Sequence, residues 1–155
     1  MLSRAAIPLQ APLWSGYRLT KTLTPIDAPG AGRFSRGDLV RVRLTVEAER
    51  DMTWVVVHDP IPAGASHVGS GLTRDSQIAT QGEERKGRAW PAFEERAMDA
   101  FRAYYEFIPK GTLVVEYTIW LNQSGRFHLP PTRVEALYAP EMFAELPNSV
   151  VEIQP

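Results

Sequence analysis

Apolar and polar residues alternate with a period of two through the most regular parts of the chain. In residues 38–47, Val40, Val42, Leu44 and Val46 are apolar, while Arg41, Arg43, Thr45 and Glu47 are polar. That spacing predicts a strand with one face in a core and the other in water. Residues 112–121 repeat it, with Leu113, Val115, Tyr117, Ile119 and Leu121 on one face. A third strand is predicted where Phe101, Ala103, Tyr105 and Phe107 alternate with Arg102, Tyr104 and Glu106. Residues 53–58 (TWVVVH) are β-branched and apolar on both faces, which predicts a central strand. Weaker strand patterns cover 16–22, 126–129 and 149–153.

Turn residues fall between these segments. Ser35-Arg36-Gly37-Asp38 precedes the first strand, Ile61-Pro62-Ala63-Gly64 follows the central one, and Asn122-Gln123-Ser124-Gly125 follows residues 112–121. Ile108-Pro109-Lys110-Gly111 reads as a short hairpin connection. About seven strands at such intervals predict an all-β fold, an antiparallel two-sheet β-sandwich. Residues 93–99 (FEERAMD) leave two readings open: a short helical turn by propensity, or the approach to the strand that starts at Ala100. The least regular stretch is 66–91, a length that marks a functional or irregular loop. Residues 1–13 are expected to be a linker or N-terminal extension, and 14–155 a single domain.

Composition narrows the function more than the fold. The chain has 155 residues, 44% hydrophobic and 23% charged, enough for one packed core without a metal or a disulfide. Seventeen Lys and Arg against eighteen Asp and Glu leave no basic excess, so no nucleic-acid partner is expected. The absence of cysteine excludes a disulfide scaffold, a thiolate zinc site and a cysteine nucleophile. No signal-peptide core or membrane-length apolar run is visible, so an extracytoplasmic protein would have to be a piece of something longer or a processed form.

Catalytic chemistry finds little purchase. His58, His67 and His128 lie on separate segments, and none pairs with another at ligand spacing, so no metal or other cofactor is expected. His58 beside Asp59 could form half of a base-orienter pair, although a histidine at a strand end is more simply structural. Gly69-Ser70-Gly71 lacks the setting of a nucleophile elbow, and Gly30-Ala31-Gly32 has no phosphate-loop lysine after it. Asp59, Glu116, Glu135 and Glu141 could supply a glycosidase pair, but surface charge accounts for each more simply. Trp14, Trp54, Trp90 and Trp120 could build a sugar-stacking platform. Trp120 falls on a polar strand face and Trp54 reads as core. A carbohydrate-binding or adhesion sandwich is therefore the alternative function.

The order of the pieces carries more than any one of them. Gly37-Asp38-Leu39-Val40, then Asp59-Pro60-Ile61-Pro62-Ala63-Gly64, then Pro109-Lys110-Gly111 are followed by Gly125-Arg126-Phe127-His128-Leu129-Pro130-Pro131. Val134-Glu135-Ala136-Leu137-Tyr138-Ala139-Pro140-Glu141 closes the series. Together they resemble the C-terminal macroglobulin-like domain of bacterial alpha-2-macroglobulins, over about residues 14–153. The resemblance implies a non-catalytic domain at the end of a large periplasmic protease-trapping protein, held to the inner membrane through a distant N-terminal lipid. The implied partners are other domains of the parent chain, proteinases met indirectly, and a peptidoglycan-synthesis enzyme of the inner membrane. It further implies that Tyr138, with Pro140 and Glu141 shaping its loop, shields a thioester carried by a neighbouring domain. The position before the tyrosine, commonly Met in the family, is Leu137 here.

The residues fit such a role. Pro130-Pro131 cannot continue a central ladder, so the chain should leave its sheet there and project a loop over 134–146. That loop carries Leu137, Tyr138, Met142, Phe143 and Leu146, the side-chain types that dominate interface cores. Two outcomes stay open: the loop docks on a neighbouring domain, or it folds back to cap its own sandwich.

Overall fold

The computed structural model describes residues 11–26, 33–68, 83, 85–87, 89 and 91–155. In chain order its strands are β1 Leu13–Ser15, β2 Tyr17–Pro25, β3 Phe34–Ser35, β4 Leu39–Ala48, β5 Met52–Pro60, β6 Ala65–His67 and β7 Arg85–Lys86. They continue with β8 Phe93–Arg96, β9 Ala100–Ile108, β10 Gly111–Leu121, β11 Gly125–Phe127, β12 Thr132–Ala136, β13 Ala139–Leu146 and β14 Val151–Gln154. Two large sheets form the layers, one ordered β1-β13-β12-β5-β9-β8 and the other β2-β4-β10-β6, with β7 also on β10. A small third sheet, β11-β14-β3, contains the one parallel strand pair among the described residues.

The alternation predicts the inward faces. Val40, Val42, Leu44 and Val46 of β4 are buried, as are Leu113, Val115, Tyr117, Ile119 and Leu121 of β10. These strands pair antiparallel over ten residues, so both apolar rows turn the same way. From the first sheet, Val55, Val57, Phe101, Ala103, Tyr105, Val134 and Ala144 meet them in one core, joined by Val151 and Ile153 of the third sheet. The fold is the expected all-β sandwich, with fourteen strands among the described residues rather than about seven. Strand β5 is central, as its two apolar faces predict.

Several local expectations are corrected. Residues 93–96 form no helical turn but an edge strand on β9, with Phe93 opposite Tyr104 and Arg96 opposite Phe101. Its Glu95–Arg102 ion pair and the Phe93–Tyr104 ring contact across the pairing outweigh helix propensity. Residues 108–111 make no hairpin, because β9 and β10 lie in different sheets and the chain crosses the core edge there, with Gly111 at φ 129. Trp54 is not core: it is 48% exposed and takes a φ of 53. That twist shifts the alternation by one, so Met52 and its partner Ile108 point inward while Phe107 is left exposed. Residues 69–82, 84, 88 and 90 lie outside the described residues, and with them the Gly69-Ser70-Gly71 and Trp90 readings; so do Gly30-Ala31-Gly32 and residues 1–10.

Gly16 lets the chain pass from β1 in the first sheet to β2 in the second. It has φ 86, a left-handed backbone that favours glycine at the switch; a Cβ there would also require the flexible end of Met142 to move aside.

Candidate docking site

The segment predicted to project does so as a hairpin, not as an irregular loop. Thr132–Ala136 pairs with Ala139–Leu146, and the register jumps from Glu135↔Phe143 to Ala136↔Ala139. The jump leaves Pro140, Glu141 and Met142 in a bulge on β13, which swings the turn away from the ladder. Proline is tolerated there because a bulge needs no ladder donor at that position. The turn itself holds Leu137, 48% exposed, and Tyr138, 81% exposed. The Leu137 N–H donates to the Trp54 carbonyl at 2.8 Å, pinning the tip to the start of β5. The Ser15 hydroxyl donates to the Glu141 carbonyl at 2.7 Å, fixing the bulge from the other side.

The six predicted docking residues divide into two groups. Leu137, Tyr138, Pro140 and Glu141 face solvent at the tip. Met142 and Phe143 do not. Met142 packs against the core beside Gly16, as does Leu146 further along β13. Phe143 lies on the outer sheet face beneath the Arg133 guanidinium, 4.8 Å from its ring centroid. Arg133 in turn pairs with Glu135 and Glu145. The hairpin thus caps its own sandwich with its stem and presents its tip outward.

The other candidates are dispersed. Strand β5 turns the neighbouring His58 and Asp59 to opposite faces, so they form no base-orienter pair. Asp59 and Glu116 are buried, not surface charges, at 0% and 7% exposure. Asp59 accepts from Lys21 Nζ at 2.7 Å and from the hydroxyls of Tyr117 and Thr132. Lys21 Nζ also donates to Asn148 Oδ1 at 3.0 Å. This network, missed in the sequence, ties β2 and β10 of one sheet to β5 and β12 of the other. The signal was present: Lys21 follows Tyr17 and Leu19 on the inward parity of β2, and Asp59 follows Val55 and Val57 on that of β5. Burial and the Asp59 carboxylate beside it push the Tyr117 phenol well above its ordinary value. Burial alone raises Tyr17 to about 12.

Trp120 is exposed on the outer face of the second sheet, as expected, whereas Trp14 and Trp54 belong to the first. The three do not share a stacking platform. Among the described residues no group of three or more His, Asp or Glu side chains could hold a metal.

Two histidines are expected to make the fold acid-sensitive. Burial lowers the pKa of His58, helped by Arg102, which sits opposite it on β9. Arg133 faces it from β12, and Asp59, Asp99 and Glu95 oppose the shift. Burial likewise lowers His67, with Arg96 adding to it, while its contact to the Ala100 carbonyl at 3.0 Å works against it. A base with a lowered folded pKa binds more protons unfolded, so its stability contribution is complete above about 6.5 and is lost as the pH falls below that. The melting temperature is therefore expected to drop between pH 7.5 and 5.5, and His58→Gln with His67→Gln should flatten that slope. A midpoint that rises on acidification would contradict this.

Comparison with known proteins places this architecture. The family model for the bacterial alpha-2-macroglobulin MG10 domain matches residues 16–141. The alpha-2-macroglobulin homolog of Nostoc sp. is 24% identical over 143 residues, covering 84% of this chain and 7% of that protein. Native Escherichia coli alpha-2-macroglobulin from domain MG7 to the C-terminus superposes with a TM-score of 0.77 at 20% identity, covering 96% of this chain and 25% of that one. Salmonella alpha-2-macroglobulin reacted with methylamine gives a TM-score of 0.74 at 21% identity, over 97% of this chain and 10% of that one. The chain thus spans a small part of the length of these relatives. With a family match across most of its strands, and the same fold in the solved proteins, it belongs to the bacterial alpha-2-macroglobulin MG10 domain family.

Proposed function

We propose that this domain is a non-catalytic latch in a protease-trapping alpha-2-macroglobulin-like protein of the periplasm. Its hairpin tip docks on a neighbouring domain of the parent chain and holds the native state until a proteinase cuts elsewhere. The observation that carries this reading is the tip itself: Leu137 and Tyr138 stand 48% and 81% exposed on a turn fixed from both sides. Apolar side chains ordered at such cost without burial suit a partner surface. The chain has no cysteine, so a thioester would have to come from the partner domain. Tyr138 would then cover it and keep water and amines away. The methylamine-reacted Salmonella relative supports this by analogy.

The test is Tyr138→Gly in the full-length parent. A central aromatic anchor is worth about 2 kcal/mol at an interface. The variant should therefore take up methylamine at least roughly tenfold faster where a thioester is present. In either case the parent should change shape at a lower temperature, while the 155-residue chain melts as before. An unaltered shape transition together with unaltered amine uptake would overturn the latch.

A further inference from the structure

Trp54 is the one described non-glycine residue in the left-handed region, with φ 53. A bulky side chain resists that conformation, and a fold retains such strain where something over-determines it. Burial of the ring is no compensation, because Trp54 is 48% exposed. Its surroundings give a reason. The Trp54 carbonyl receives the Leu137 N–H, and the Trp54 ring meets the Tyr138 ring edge-on, with centroids 6.5 Å apart and planes at 86°. Phe107, also 48% exposed, lies on β9 opposite Thr53, the residue before the tryptophan.

We infer that the docking surface is composite, with Trp54 as a second anchor presented by its strained backbone, and that Trp54, Phe107, Leu137 and Tyr138 seat together on another domain of the parent chain. This rests on the latch reading and adds what that reading lacks: the turn is half of the surface, and the end of the β5–β9 pair supplies the rest. All four side chains are uncharged, while Glu106 and Glu141 stand exposed nearby. An apolar centre with a charged margin fits an apolar depression with a polar rim. The occupant is a domain of the same chain, because the sequence covers 7% of the Nostoc relative and 10% of the Salmonella one, leaving most of such a protein to provide it. The edge-on contact also fixes the Tyr138 ring, so less side-chain freedom is lost on docking.

Hydroxyl-radical footprinting, read residue by residue by mass spectrometry, compares the 155-residue chain with the full-length parent. Trp54, Phe107 and Tyr138 should all react in the short chain and should be protected together, several-fold, in the parent. If Tyr138 is protected while Trp54 and Phe107 react as in the short chain, the composite surface is wrong and the latch stands. If all three react equally in both, the composite surface and the latch both fail. Trp54→Gly supplies the second arm, since glycine suits the left-handed backbone and lacks the ring. The short chain should melt at the same temperature or higher, while Tyr138 protection in the parent falls several-fold. A lower melting temperature of the short chain, or full Tyr138 protection in the variant parent, would show that the ring serves its own fold and would overturn the inference.

Discussion

Asp59→Ala is expected to remove a large share of the folding stability, bringing the domain to the edge of unfolding where that stability lies at the low end of the usual range. The carboxylate is fully buried, and Lys21, whose side chain is 7% exposed, sits 2.7 Å from it. Removing it strands a buried ammonium with the Asn148 amide oxygen as its one remaining described partner, and leaves the Tyr117 hydroxyl without its acceptor. Breaking one side of such a pair costs about 3–5 kcal/mol, against a total stability of about 5–15 kcal/mol for a domain. Because the network joins both sheets, the loss acts on the whole sandwich and not on one strand. Lys21→Met together with Asp59→Leu should recover much of it, since two apolar groups leave no stranded charge. Urea unfolding followed by circular dichroism checks both. A loss under about 1 kcal/mol for the single change would mean that the ion pair contributes little to the fold.

Phe101→Ala should be nearly as damaging, by about 3–5 kcal/mol. Its ring is fully buried and stacks on Tyr117, with centroids 4.3 Å apart and planes at 11°. The Arg96 guanidinium lies 5.7 Å from the ring centroid, and His67 packs at 6.5 Å. Alanine opens a cavity between the sheets and removes the surface on which Arg96 rests. Arg96 also bonds the Val68 carbonyl and Glu83, so the damage should spread to that margin of the second sheet. Phe101→Leu, which fills more of the space, should cost clearly less. Equal losses for the two variants would show that ring stacking, not volume, sets the energy at this position.

How legible the molecule was depended on whether a feature is periodic. The inward rows of β4 and β10 follow directly from alternation, because a two-residue period admits one buried face. The same rule failed at Phe107, where the left-handed backbone at Trp54 shifts the inward face by one while the β5–β9 register stays constant, and no residue type in that stretch announces such a twist. It also failed for Ile108-Pro109-Lys110-Gly111, where the turn residues are visible but not whether the strands they join pair or part. The projecting hairpin tip was partly legible. Leu137 and Tyr138 stand out as predicted, whereas Met142 belongs to the stem because the bulge returns it to Gly16.

The sequence by itself determined the all-β class, the buried faces of the long strands, the lack of thiol chemistry and the family resemblance carried by residues 134–141. Those properties depend on residue type and on spacing along one segment. The tertiary structure decided which strands share a sheet, that Lys21 meets Asp59 across 38 positions, and that Trp54 stands edge-on to Tyr138. Each of these depends on a contact between distant segments. Its energy comes from burial and geometry that exist only once both partners are in place, and local patterning carries no term for it.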